Sequence, residues 1–307
     1  MLQSLAGQTV VVTGATGLVG RPLAALLEQA GATVIRGVRG AVSDSQRQMK
    51  WNADSGEIDA AKLQGAAAVV HLAGENIAAR RWTADFKRRI RDSRIQGTRL
   101  IADAIARAAD KPRALICASA IGYYGDRGDE QLTEDSPPGG DYLADVCREW
   151  EAACQPARDA GVRVVNARIG VVLSPDGGAL AKMLTPFKLG AGGKLGDGRQ
   201  YMSWIALDDV VAALAALAAS PQYAGPVNLT APHPVTNAEF THKLGRVLRR
   251  PTLFPVPAFA ARLAFGEMAD ALLLASTRVV PQALQNAGHT FQYPELEGAL
   301  RHLLDRK

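Results

Sequence analysis

The sequence predicts an α/β protein: a doubly wound parallel sheet with a smaller, mainly helical C-terminal lobe. Three observations predict it. Apolar β-runs alternate with helical segments through the first half of the 307 residues. The runs are near-continuous in Val, Ile, Leu and Ala, as strands buried on both faces are. The first run leads into a glycine-rich turn that opens a helix, which is the Rossmann-type arrangement.

Taken in order, Thr9–Thr13 reads as a strand and 18–30 as a helix. Thr33–Val38 and 67–72 read as strands, 83–109 as a long helix and 114–117 as a strand. A helix over 143–160 and a strand over 163–168 follow. These strands carry little polar alternation, so helices must cover both sheet faces, with right-handed crossovers. After Gly170 the texture changes to loops over 174–178 and 190–198. A strand is expected over 201–206 and an apolar helix over 208–220, opened by Asp208 and Asp209. A last sheet strand falls at 227–229. Thr236 and Glu239 have capping-box spacing, 253–257 is extended, and 294–304 is helical. We expect a dinucleotide-binding domain over 1–229, with a lobe-forming insertion near 174–206. A small domain over 230–307 would complete the lobe.

Composition excludes several classes. Apolar residues are 48% and charged residues 21%, enough for a full core. The longest unbroken apolar run, 210–219, is half of the roughly 20 residues a membrane span needs. The N-terminal segment lacks a basic n-region, so a secretory signal is not expected. Three cysteines, Cys117, Cys147 and Cys154, show no CxxC spacing. Neither a disulfide framework nor a metal site is expected, and a reducing, cytoplasmic compartment is the default. The net charge of +5 raises nucleic acid as a partner. However, eleven basic and four acidic residues lie between Arg80 and Arg113, so the excess belongs to one helix and its flanks. No groove-reading motif accompanies it, and neither a nucleic-acid nor a membrane partner is expected.

The turn is Thr13-Gly14-Ala15-Thr16-Gly17-Leu18-Val19-Gly20. Gly14 permits the tight bend, Gly17 lets the backbone approach a diphosphate, and Gly20 lets the helix pack on the strand. Thr16, Leu18 and Val19 complete the cradle at the helix N-terminus. About twenty residues on, a dinucleotide fold that prefers NAD places an acid on the ribose. Here the segment Ile35-Arg36-Gly37-Val38-Arg39-Gly40 has none. Arg39, with Arg36 nearby, can pair with a 2′-phosphate, so NADP(H) is expected. The plainer alternative for both is a solvated strand end. A later strand leaves through Leu72, Ala73, Gly74 and Glu75, where small residues let the adenosine-side ribose lie against the backbone. His71 reads as a core histidine rather than a base.

These residues carry a family likeness. The turn, the His71–Gly74 strand end and Ser119–Gly125 (SAIGYYG) resemble the short-chain dehydrogenase/reductase superfamily, in its extended, sugar-nucleotide-epimerase branch. Further marks resemble an atypical subgroup with a small conserved C-terminal domain: Arg81-Trp82, Lys87, Ile90, Ser93-Arg94 and Thr98; Cys147–Glu151; Tyr201–Ile205 before Asp208-Asp209; Phe254–Pro257; and Gly266–Ala269. The likeness spans essentially the whole chain. It implies an NADP(H)-binding oxidoreductase or epimerase-like protein acting on a small molecule. A nucleotide-sugar-like or carbonyl compound would suit, and a catalytically degenerate scaffold is the alternative. It also implies a homodimer through the long helices after strands four and five.

The superfamily's catalysis uses a Ser or Thr, a Tyr, and a Lys four residues after the Tyr. Here the Ser position falls on Ala120, with Ser119 before it. The Tyr and Lys positions fall on Tyr142 and Val146, or, one residue on, on Leu143 and Cys147. Neither register supplies a lysine. The candidates left are Tyr142, Ser119 and Tyr124, with Tyr123 beside them. Ser119 and Arg168 are also candidates to touch the cofactor; Arg168 and Arg199 are candidates for anionic substrate groups, and both are equally open to salt bridging.

Overall fold

In the computed structural model, which describes residues 2–305, the predicted alternation closes into one eight-stranded sheet. Its strands are β1 (Thr9–Thr13), β2 (Thr33–Val38), β3 (Gln48–Asn52), β4 (Glu57–Ile58), β5 (Ala68–His71), β6 (Ala114–Ala120), β7 (Arg163–Ile169) and β8 (Gly225–Leu229). The spatial order is β8-β7-β6-β5-β1-β2-β3-β4. Neighbours are parallel except β3 and β4, which run antiparallel at the edge. β1 lies between β2 and β5, with Val10 opposite both Val34 and Ala68. The chain leaves β1 towards β2 and later returns to its other side at β5. That reversal opens a crevice at the carboxyl ends of the strands, where open α/β sheets bind ligands.

The helices are α1 (Gly20–Gln29), α2 (Ala84–Arg107), α3 (Tyr142–Ala152), α4 (Gln155–Asp159), α5 (Gly178–Lys188), α6 (Leu207–Ala219), α7 (Asn237–Leu248) and α8 (Ala258–Phe265), followed by shorter turns and the final helix Leu296–Leu303. Leu23 and Leu27 of α1 and Val210 and Leu214 of α6 bury against Val10, Val12 and Val70 on one sheet face. Ile101 and Ile105 of α2 and Trp150 of α3 bury against Val11, Val69 and Leu115 on the other. The strands read as unbroken apolar runs because both faces are covered. A separate core joins Leu180, Leu184 and Phe187 of α5 to Phe240 and Leu244 of α7, Trp204 and Leu300. Among the described residues, no helix is long and apolar enough to cross a membrane.

Several elements differ from expectation. β3 and β4 were not anticipated: only Met49 and Trp51 of β3 turn inward, between partly exposed Gln48, Lys50 and Asn52. The helix expected over 143–160 breaks into α3 and α4. Pro156 has no N–H to continue the ladder, and Cys154 instead donates three residues back, to the Glu151 carbonyl. The strand expected over 201–206 is two strands. Tyr201–Met202 pairs with Val235–Thr236 and Trp204–Ala206 with Val171–Ser174. Between them, buried Ser203 donates to the Thr277 carbonyl and accepts from the Val279 N–H, both at 2.8 Å. Only half of the capping box at Thr236 forms. Its hydroxyl accepts from the Glu239 N–H at 3.2 Å, while the Glu239 carboxylate turns to Lys243.

Candidate functional site

The glycine turn is packed backbone to backbone. Gly14 holds φ +70°, and a Cβ there would stand 2.9 Å from the Ala73 nitrogen. A Cβ on Gly20 would lie 2.1 Å from the Gly14 carbonyl oxygen, and one on Gly17 3.2 Å from it. The turn, the start of α1 and the exit of β5 therefore fit only without side chains. α1 has no side-chain cap and no acid in its first turn, and Thr16 and Gly17 are exposed. The N–H groups of Leu18 and Val19 meet no protein acceptor among the described residues. Such a cradle fits a diphosphate. Leu18 reaches the second lobe, within 3.3 Å of a Cβ on Gly177.

At the tip of β2, Arg36 donates to Glu28 at 2.7 Å. Arg39 is exposed, and only its carbonyl is engaged, by Lys50 at 3.0 Å. At the exit of β5, the Leu72 N–H donates to the Thr13 carbonyl. The Glu75 N–H donates to Ser93 Oγ at 3.1 Å, and the Glu75 carboxylate reaches Arg89 at 3.3 Å.

His71 is fully buried, with Nδ1 2.6 Å from Thr13 Oγ1 and its ring edge-on to Trp51. Burial pushes the imidazole down from 6.5 to about 3, so the folded protein keeps it neutral. The unfolded chain takes a proton below about pH 6.5. The contribution of this group to stability is therefore complete above that pH and shrinks as pH falls towards 3. The loss at pH 5 should be about 2 kcal/mol. Urea midpoints at pH 7 and pH 5 check this: His71→Gln should lose less stability than the wild type by that amount. Equal losses would show that the group does not titrate on unfolding.

Beyond β6 lies a buried polar cluster. Ser119 Oγ donates to Glu151 at 2.7 Å. Arg168 grips both oxygens of Glu151, from Nε at 2.8 Å and Nη2 at 2.9 Å. Its Nη1 donates to the Tyr124 hydroxyl at 3.0 Å and the Glu134 carbonyl at 3.2 Å. Tyr124 in turn donates to Asn228 Oδ1 at 2.7 Å. Arg168 is thus spent on protein groups rather than directed at a ligand. Burial pushes the Tyr124 phenol up to about 12, although Arg168 pulls against it. Tyr142 lies apart, donating to the Lys87 carbonyl at 2.6 Å beside Trp82. Its phenol is also pushed up to about 12, by burial first. Leu143 and Cys147 face Gly122 at the end of β6, 3.4 and 3.9 Å from a Cβ there. Burial, then the Glu151 charge, pushes the Cys147 thiol up to about 12. The Tyr123 ring stacks under the Arg168 guanidinium at 3.5 Å. Arg199 is exposed.

The structure brings Ser119, Tyr124 and Arg168 together and leaves Tyr142 outside that cluster. Sequence reasoning missed Glu151, Glu134 and Asn228 as its other members. For Glu151 a signal existed, since it follows Cys147 by one helical turn on the buried face of α3. The basic stretch of α2 is largely neutralised: Arg88 pairs with Asp85, Arg91 with Glu149, Arg99 with Asp103 and Lys87 with Glu267.

The model of the NAD dependent epimerase/dehydratase family matches residues 10–229, and that of a domain of unknown function (DUF1731) matches 256–303. Over 302 residues the chain is 47% identical to the epimerase family protein Mb2239 of Mycobacterium bovis, across 98% of this chain and 99% of that one. The crystal structure of human epimerase family protein SDR39U1 with NADPH superposes with a TM-score of 0.89 at 34% identity, covering 97% of this chain and 99% of that one. The nucleoside-diphosphate sugar epimerase from Corynebacterium glutamicum gives a TM-score of 0.82 at 39% identity, over 100% of this chain and 61% of that one.

Proposed function

The chain belongs to the NAD dependent epimerase/dehydratase family, and on that premise we propose that it is an NADP(H)-binding oxidoreductase or epimerase-like protein. Its substrate is a small molecule held between the carboxyl edge of the sheet and the C-terminal lobe. The observation that carries this reading is the uncapped glycine cradle of α1 beside a β2 tip with a free arginine and no acid. In it, Gly14, Thr16, Gly17, Leu18, Val19 and Gly20 hold the diphosphate. Arg39 takes the 2′-phosphate, with Arg36 the lesser partner because Glu28 already neutralises it. Leu72, Ala73, Gly74 and Glu75 lie along the ribose. When bound, NADPH supplies a hydride. The residues around Ser119 shape the floor on which the reacting group rests.

The same geometry favours a second reading, a cofactor-binding scaffold with little catalysis. The Tyr124 and Tyr142 hydroxyls are both engaged by protein groups, and Leu143 and Cys147 offer no acid–base pair at neutral pH. NADPH oxidation across a panel of carbonyl and nucleotide-sugar compounds separates the two readings.

Fluorescence titration of Arg39→Ala tests the cofactor assignment. Affinity for NADPH should fall about tenfold or more, the worth of a charge-assisted contact. Affinity for NADH should stay unchanged. An equal loss for both would remove Arg39 from the 2′-phosphate.

A further inference from the structure

Six of the seven large apolar side chains exposed among the described residues fall in two short stretches of the C-terminal lobe. They are Leu189, Leu253, Phe254, Phe259, Leu263 and Phe265, and the first five are 62–78% exposed. The two stretches run side by side. Arg250 Nε donates to the Lys188 carbonyl at 2.9 Å, and the Val256 N–H donates to the Lys194 carbonyl at 2.8 Å. Helix α8 follows at once, and Ala261 is its one buried residue. Phe259 and Leu263 stand two residues to either side of Ala261. At about 100° per residue both point away from the face that packs. An apolar helix that buries so little of itself is unpartnered within its own chain.

Charge says what kind of partner fits. Residues 188–196 and 249–265 hold Lys188, Lys194, Arg249, Arg250 and Arg262, and no Asp or Glu. Arg262 pairs with Asp270 at 2.9 Å. Among the described residues, the Lys194 and Arg250 side chains meet only carbonyls, of Asp197 and Lys188. Lys188 and Arg249 are exposed. The face is therefore cationic and apolar at once. Two copies meeting on it would set like charges together. Nucleic acid would suit the cations, but the leucines have no ring to stack on bases. A protein partner would need a groove matched to each of these protruding side chains. An anionic bilayer suits both features: its headgroups meet the cations, and its acyl chains accept apolar side chains without a matching groove. Such a contact lies in the plane of the surface and needs no spanning helix.

We propose that this face docks on an anionic lipid surface, with Phe259 and Leu263 entering the acyl boundary and Lys188, Arg249 and Arg250 meeting the headgroups. Sedimentation with vesicles tests it, comparing an equal mixture of phosphatidylglycerol and phosphatidylcholine with phosphatidylcholine alone. The wild type should bind the mixed vesicles at least about tenfold more tightly, and added salt should weaken that binding. Phe259→Ser/Leu263→Ser should lose about tenfold or more, from lost apolar burial. Arg249→Gln/Arg250→Gln should lose about as much, from lost charge. Both variants change exposed side chains, so melting and NADPH affinity should stay at wild-type values. The emission of Phe259→Trp should shift to the blue with the mixed vesicles alone. Equal binding to both vesicle types, or binding to neither, would overturn the proposal. Full binding by the serine variant would overturn it too. So would a wild-type dimer that the serine variant dissolves, which would give the face to a second copy.

Discussion

Replacing Arg168 with methionine is expected to cost about 3–5 kcal/mol of stability. The side chain is 4% exposed and its Glu151 partner 14%. Without the guanidinium, Glu151 keeps a buried charge with only the Ser119 hydroxyl to meet it. Tyr124 loses one of its two partners, and the Tyr123 ring loses the cation stacked on it. Burial alone would pull the Arg168 guanidinium down. The hydrogen bond and charge of Glu151, then Tyr124, reverse this and hold it above its usual value. Urea denaturation of the single variant and of Arg168→Met/Glu151→Leu measures the effect. The double variant should recover most of the loss, because removing both charges leaves none unpaired. A single variant within about 1 kcal/mol of the wild type would show that the pair is not what holds β7 to α3.

Replacing Gly20 with alanine should abolish measurable dinucleotide binding and cost about 1–3 kcal/mol of stability, as overpacking does. The added methyl would stand 2.1 Å from the Gly14 oxygen. That neighbour is backbone with little room to retreat, since even a Cβ on Gly14 would stand 2.9 Å from the Ala73 nitrogen at the exit of β5. The turn must deform, and its N–H groups leave their positions around the diphosphate. Gly17→Ala is the control. Its Cβ would sit 3.2 Å from the same oxygen, so stability should change little, while the methyl still hinders close approach of the ligand. Thermal melting and NADPH titration of both proteins check the difference. A Gly20→Ala protein with wild-type melting and wild-type affinity would contradict the packing described.

Much of the sheet was legible because both its faces are buried. Thr9–Thr13 and Thr33–Val38 carry the pattern in their own residues, and the glycine turn carries its helix. β3 was hard to read because at the sheet margin only Met49 and Trp51 turn inward. The α3–α4 break depends on one missing N–H, at Pro156, inside an otherwise helical pattern. The polar cluster was less legible than the glycine turn. Ser119, Tyr124 and Arg168 could be named as candidates, yet their partners Glu151, Glu134 and Asn228 come from a helix, a loop and an edge strand distant in sequence. Spacing cannot show that a strand-end arginine such as Arg168 is fully matched. The net charge shows the same limit. It suggests nucleic acid, and the fold resolves much of it into ion pairs along α2.

The central claim is that the glycine turn and the tip of β2 together hold NADP(H). Calorimetric titration of the wild-type protein with NADPH and with NADH tests it most directly. The account predicts one site per chain, with NADPH bound at least about tenfold more tightly than NADH. Tighter binding of NADH, or no binding of either, would contradict it.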